Sequence, residues 1–364
     1  MGHRLNAALL ARIHARCRLP LTAAVLGGGL FVSGCGGQPE SVGAIDGQAV
    51  AGPPEGASGT ANPAMSVAAS GADAIFSDLE RFTALPSEPR RRASGDFWDH
   101  WGDGRAELSG YRVTLSRYGE PRQAQLSLIY VTEPHDRRTW IKDDQAEEPN
   151  RVEVLKLIRS MQFMTGIYPY FVMGSTFAPV DAWGDERFQP VRINLDVQEW
   201  CGSVAQRVFP GKDGVRSLRL SYFEDEAETR RELEIEEASL YEDALLIQLR
   251  ELDGPFFEGE DWEGQIVREL WSLRTGHRAI QPVPARITRA EQDRGGVAVT
   301  RFRLEAGDYW RTYDVERAAP RRVLAWETST GESAEILQTE RLSYWQLNQP
   351  GDERYRESLG LGRQ

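Results

Sequence analysis

Along residues 105–345, large apolar residues return at every second position. Only an extended strand turns that period into a single buried face. Tyr111, Val113 and Leu115 alternate with Arg112, Thr114 and Ser116. After Gly119-Glu120-Pro121-Arg122, Ala124, Leu126, Leu128 and Tyr130 alternate with Gln123, Gln125 and Ser127. Two such arms around a glycine turn predict a β-hairpin. The same period recurs at Val191/Ile193/Leu195/Val197, at Leu218/Leu220/Tyr222, at Val297/Val299 and over 309–315, 323–328 and 336–345. Turns rich in Gly, Pro and Asp separate these runs, as in 210–214, 293–296 and 330–332. Helical signals are few. Residues 239–252 carry a helical face in Leu240, Ala244, Ile247 and Glu251, while 78–84 and 352–359 each fit one short helix. The predicted fold is mainly β: a large antiparallel sheet curled into a barrel or half-barrel with a few short helices, with a β-sandwich as the second architecture.

The first 34 residues follow another pattern. Arg4, Arg12, Arg16 and Arg18 precede an apolar run over 21–32 that is too short to span a bilayer, and small residues then lead to Cys35. That order is a secretory signal. The ending Val32-Ser33-Gly34-Cys35 resembles the lipobox of bacterial lipoproteins, which implies that Cys35 is lipidated and becomes the mature N-terminus. Behind it, a Gly/Ser/Pro/Ala-rich stretch holds almost no large apolar residue until Phe76 and cannot offset its own ordering entropy. The expected organisation is a signal peptide over 1–34, a lipidated N-terminus and flexible tether over 35–75, and one mainly-β domain over 76–364.

The signal contains four arginines and no acidic residue, so the chain beyond it carries about −16 against −12 for the whole. Such a surface repels phosphate backbones, and nucleic acid is excluded as an expected partner. Positive charge is almost wholly arginine, with lysine only at Lys142, Lys156 and Lys212; this is read as a composition effect. With Cys17 lost and Cys35 lipidated, Cys201 stands alone, so stability must come from core burial without an internal disulfide. Ten tryptophans make such a core feasible.

Catalytic residues are not legible. Cys201, in Glu199-Trp200-Cys201-Gly202-Ser203, is the candidate nucleophile, but the mature chain offers only His100, His135 and His277 as bases, all distant in sequence. A lone cysteine after an apolar strand is more often a core residue, and that is the expectation. Phe97-Trp98-Asp99-His100-Trp101 makes Trp98 and Trp101 candidates for stacking a ligand; the alternative is a plug for one end of a β core, with both tryptophans on one face. Tyr168 and Tyr170, in the apolar stretch 161–177, line either a hydrophobic cavity or the sheet core. Metal-ligand spacings, calcium loops, P-loops, dinucleotide fingerprints and Gly-x-Ser-x-Gly are absent, and no cofactor or metal is expected.

Phe97-Trp98-Asp99, Ile129-Tyr130-Val131-Thr132-Glu133-Pro134, Val154-Leu155-Lys156-Leu157, Thr165-Gly166-Ile167-Tyr168-Pro169-Tyr170, Gln198-Glu199-Trp200-Cys201-Gly202, Ser221-Tyr222-Phe223-Glu224 and Tyr344-Trp345 with Ser358-Leu359-Gly360-Leu361 together resemble a family of uncharacterised exported bacterial proteins. Some members carry the name septum formation inhibitor Maf. The resemblance spans most of 97–360 and implies no established activity. True Maf nucleotide pyrophosphatases carry Ser-x-Ser-Pro-Arg-Arg, whereas 86–91 here reads Pro-Ser-Glu-Pro-Arg-Arg and lacks both serines. That activity is not carried over.

The leading expectation is a lipid-anchored cell-envelope protein with a binding or envelope-maintenance role, its ligand a hydrophobic molecule or another envelope protein. The alternatives are a periplasmic hydrolase built on Cys201 or a His/carboxylate pair, and a scaffold pairing through a sheet edge. Gly36 follows the cysteine where an inner-membrane retention signal often places Asp, so the expected site in a Gram-negative cell is the outer membrane, facing the periplasm. Cys35→Ser is predicted to abolish incorporation of labelled fatty acid; equal labelling of variant and parent would remove the lipobox reading.

Overall fold

The computed structural model describes Leu85 and residues 88–362, apart from 185–186, 213, 225, 236–238 and 260. The signal, Cys35, the tether and the helix expected over 78–84 lie outside the described residues. Those described belong to one compact unit, Val67–Gln364.

A short helix, α1 (Gly95–Trp101), capped by the Ser94 hydroxyl, leads into an antiparallel meander. Its strands are β1 (Ala106–Arg117), β2 (Glu120–Asp136), β4 (Arg151–Thr165), β5 (Tyr168–Pro179), β6 (Arg192–Glu199), β7 (Gly202–Pro210), β8 (Gly214–Ser221) and β9 (Thr229–Glu234), with the two-residue β3 (Ile141–Lys142) added to the end of β2. The chain then returns to the far side of the sheet. There it forms β10 (Leu240–Tyr241), α2 (Glu242–Gln248), β11 (Asp261–Val267), α3 (Leu270–Thr275) and a second meander of β12 (Pro282–Arg294), β13 (Val297–Ala306), β14 (Tyr309–Glu316), β15 (Val323–Thr328) and β16 (Ser333–Leu342). Strand β16 pairs antiparallel with β1 and joins the meanders into one 16-stranded sheet whose edges are β9 and β10. The sheet does not close. The mainly-β expectation holds, as a curled, open antiparallel sheet.

The first hairpin shows why the sequence folds so. Arg117 pairs with Glu120 across a two-residue turn in which Tyr118 (φ 58°) and Gly119 (φ 77°) are both left-handed. That geometry matches the strand twist and favours glycine at its second position. The turn therefore falls one residue earlier than Gly119-Glu120-Pro121-Arg122 implied. Along β1 and β2, the predicted apolar sets face inward as one continuous core.

Curvature follows from the contacts. Arg159 on β4 and Arg311 on β14 are five strands apart in sheet order, about 24 Å along a flat sheet. Both nevertheless bind the carboxylate of Glu269. Inside the curve lies α2, with Ala244, Leu245, Leu246 and Ile247 all buried. Tyr130 on β2 donates to the Leu246 carbonyl (2.9 Å) and Thr176 on β5 to that of Asp243 (3.1 Å). The one-faced helix expected over 239–252 is thus shorter and buried on nearly every side, its polar residues Glu242 and Gln248 included.

A second departure concerns β8. Leu218, Leu220 and Tyr222 do alternate, but Leu220 and Tyr222 face outward. Helix α4 (Arg354–Ser358) falls within the predicted 352–359 segment. After it, Leu359 and Leu361 pack on the outer face of β1 and β2, against Ala106, Leu108 and Val131. Gly110 permits this approach: a Cβ there would lie 2.1 Å from the Leu359 carbonyl oxygen. Gly110→Ala must therefore displace the C-terminal segment. A loss of about 2 kcal/mol and a Tm lower by several degrees are expected in thermal denaturation. An unchanged Tm would show that the segment does not contribute to the packed outer face.

Candidate functional site

Antiparallel order puts alternate turns at the same end of the sheet. One end, the tip end, gathers the turns 117–120, 165–168, 199–202, 306–309 and 328–333 together with the β11–β12 connection that holds α3. The other, the base, holds α1 and the turns 136–151, 210–215 and 294–297.

Beneath the tip end lies a buried ionic network. Its carboxylates are Glu242 and Asp243 in the first turn of α2, Glu269 just before α3, and Glu332 before β16. Its cations are Arg159, Arg268 and Arg311. Arg268 Nε donates to Glu242 Oε2 (2.7 Å) and the Tyr309 hydroxyl to Glu242 Oε1 (2.7 Å). Arg311 reaches Glu269 (3.1 Å), Glu242 (3.3 Å) and Glu332 (3.4 Å), and Trp326 Nε1 donates to Glu332 (2.8 Å). The two acids of α2 also accept the amides of Glu269 and Leu270, each at 3.0 Å, and so cap the start of α3. Burial pushes the Asp243 carboxyl up to about 6; its hydrogen bond from Leu270 and the charge of Arg159 offset only part of this.

The network forms the floor of a cleft of about 570 Å³ that opens at the tip end. Arg268, Glu269, Tyr309 and Glu332 lie at its floor, with Arg117, Tyr118, Trp271 and Thr330 among the residues around it. Donors and acceptors converge there on positions fixed from beneath.

At the base a smaller ionic site serves packing. Arg250 and Glu107 are both buried and paired at 2.8 Å; Arg250 also donates to the carbonyls of Pro320 (2.8 Å) and Arg321 (3.0 Å) and lies over the rings of Tyr130 and Trp101. Burial pushes the Glu107 carboxyl up, but Arg250 and His100 outweigh it and hold the group at about 2.

The residues singled out in the sequence fall at both ends. Trp101 is buried at the base with Phe97, while Trp98 is only partly buried. Helix α1 is thus the plug for one end of the core, but Phe97 and Trp101, four apart, form its inner face instead of Trp98 and Trp101. Tyr170 is buried against Phe163, and Tyr168 lies half-exposed between Tyr170 and Trp200. The two tyrosines sit at the tip end, beside the cleft.

Cys201 is corrected. It is exposed in the β6–β7 turn and is not a core residue, because the apolar strand before it ends at Glu199 and the chain reverses there. Its thiol pKa is raised by a hydrogen bond from the thiol to Glu199, helped by that carboxylate's charge, the opposite of what a nucleophile requires. The histidines take carboxylate neighbours elsewhere: His100 with Glu107 (3.5 Å), His135 with Glu133 (2.9 Å) and His277 with Glu226 (3.4 Å). Among the described residues, no cluster of three or more His, Cys, Asp or Glu is placed to hold a metal ion.

Sequence reading passed over the network. Its signal was an arginine at an inward position of an apolar run: Arg159 within Leu155, Leu157, Met161 and Phe163, and Arg311 between Tyr309 and Tyr313. No protein family, curated protein or solved structure matches this chain.

Asp243 sets a pH signature. Its folded-state pKa is raised, so folding gains from its protonation at low pH and loses that gain as pH climbs from about 4 through about 6. Asp243→Asn can still accept from Leu270 and is predicted to be more stable than the parent at pH 7 by about 2–3 kcal/mol, with little difference at pH 4. Urea denaturation at the two pH values checks this; an equal difference at both would show that Asp243 does not titrate in that range.

Proposed function

We propose that the protein is a lipid-anchored cell-envelope binding protein that takes a small polar ligand into the tip-end cleft. The observation that carries the reading is the cleft itself. At about 570 Å³ it falls in the range of small-molecule sites, and its charged floor is held in place by a network one layer deeper. Rigid donors and acceptors suit a ligand bearing both polarities, such as a headgroup, a sugar or a short peptide. The space inside the curled sheet is taken by α2, so an acyl chain has no equivalent support there.

The alternatives draw less support. A thiol with a raised pKa is a poor basis for a hydrolase on Cys201. The His/carboxylate alternative has the pairs His100–Glu107, His135–Glu133 and His277–Glu226, whose histidines do not line the tip-end cleft. A scaffold pairing by strand addition needs an open, apolar edge, but β10 has only two residues and β9 carries Arg230, Arg231, Glu232 and Glu234, the charges that discourage such pairing. The lipobox reading of Cys35, with Gly36 behind it, supports a place at the outer membrane, facing the periplasm, if the cell is Gram-negative.

Native mass spectrometry of the full chain isolated from its own envelope tests the cleft. A bound small polar molecule is expected on the parent and is lost in Thr330→Trp, which fills the cleft from an exposed turn without changing the Tm. Absence of any bound species on the parent, or retention in Thr330→Trp, overturns the assignment.

A further inference from the structure

Beside the cleft, successive hairpin tips carry exposed apolar side chains: Tyr118 after β1, Ile167 after β4, Trp200 after β6 and Tyr222 after β8, at 59%, 79%, 68% and 76% exposure. They form one rim. The Tyr118 hydroxyl bonds that of Tyr170 (2.6 Å); Tyr168 lies tilted against Tyr170 and stacks on Trp200 with ring centres 6.2 Å apart. The Tyr222 ring lies against Gly202, where a Cβ would come within 2.6 Å of it. The other exposed large apolar residues are Met164, Phe171, Met173 and Leu220, on the strands that run down from this rim, and Ile141, Val297 and Trp345 elsewhere. A single exposed apolar residue needs no explanation, whereas a contiguous row along one rim does.

We infer that this rim is a docking surface for a zwitterionic phospholipid bilayer. Three observations select that occupant. The residues stand at exposed turns, Tyr118 also at the edge of the cleft, and three of the four are the Trp and Tyr that settle at a membrane interface, an apolar body with a polar tip. The chain's net charge of −12 opposes an anionic surface, which leaves apolar and aromatic burial as the attraction. The described domain enters at the base, where Arg91 pairs with Ala182. From Cys35 to Leu85 the chain takes fifty residue steps, a contour of up to about 165 Å, against about 57 Å for the 17 residues of β2. A chain anchored at Cys35 is therefore long enough to let the rim, at the far end, face the same membrane. Anchoring raises the local lipid concentration, so a weak contact suffices. Docked this way, the cleft opens at the bilayer surface. The inference rests on the lipid-anchored reading only for this amplification.

Cys201 lies on the rim and offers the probe site. The full chain with Cys17→Ser and Cys35→Ser has it as the sole thiol and carries no lipid. An environment-sensitive fluorophore on Cys201 is expected to shift to the blue with phosphatidylcholine vesicles and to be quenched by nitroxide-labelled lipid. The same fluorophore at the base, through Ile141→Cys with Cys201→Ser, is expected to show neither. Ile167→Asp, at an exposed turn, should raise the vesicle concentration for half-maximal response on the order of tenfold. A silent Cys201 probe, equal quenching at Ile141, an unaffected Ile167→Asp, or a response only on adding soluble periplasmic protein overturns the inference. Fatty-acid labelling of the parent chain reports on Cys35 separately, so failure of the anchor and failure of the rim are told apart.

Discussion

The Glu269 carboxylate, gripped by Arg159 from one meander and Arg311 from the other, is the contact on which the rest of the structure depends. Antiparallel pairing fixes neighbours but leaves the long-range curvature of so wide a sheet open. A shared buried counter-ion does not: it holds two distant strands to one point. Glu242 and Glu332 extend the same network to α2 and to the β15–β16 turn, so interior helix, cap and wall meet in one cluster. Taking these charges out of water is expensive, and such clusters are weak evidence of net stability. What they supply here is geometry, because an apolar replacement leaves the position of α3 undetermined while the bidentate reach of arginine specifies it. The arginine excess read as a composition effect thus has structural use at several buried positions.

Filling the interior has a functional consequence. Curled sheets that carry ligands inside must leave the inner face unoccupied, but here α2 takes that space with Ala244, Leu245, Leu246 and Ile247. Binding capacity moves to the end of the sheet, where turns and α3 leave a cleft over the ionic floor. The aromatic rim stands at the same end, and Tyr118 belongs to both. A ligand in the cleft and a surface under the rim would therefore be within reach of each other.

Period two carried the fold class, because a side chain's face in a strand follows from parity alone. The same rule located Tyr111, Leu126, Ile193 and Tyr313 in the core. It failed where parity does not tell inside from outside, as at Leu220 and Tyr222: both faces of β8 carry apolar residues, and neighbouring strands decide which is covered. At α2 the helical period over 239–252 gave the right element at too great a length, and its single apolar face understated how far burial extends around the helix. The candidate site was legible only in part. Tyr168 and Tyr170 lie at the correct end, but the network under the cleft is built of Arg and Glu from five separate segments whose meeting depends on the curl. Cys201 was misread for a related reason: a turn begins two residues before it, and nothing local distinguishes that turn from a continuing strand.

The two ends of the sheet differ in how they treat buried charge. At the base, Arg250 faces one carboxylate, two carbonyls and two aromatic rings, and Glu107 is held at about 2. Its ionised form stabilises the fold above about pH 4.5, and that contribution fades only as pH falls toward 2. Under the cleft, four carboxyl groups share three guanidinium groups, and Asp243 is pushed up to about 6, so near neutral pH its charge costs stability. One end is locked and the other carries a surplus of negative charge beneath an opening. A fold optimised only for stability would remove that surplus by replacing Asp243. Its location, below the cleft and the exposed rim and away from the well-paired base, is where a departure from local optimality is expected when a surface is kept for binding.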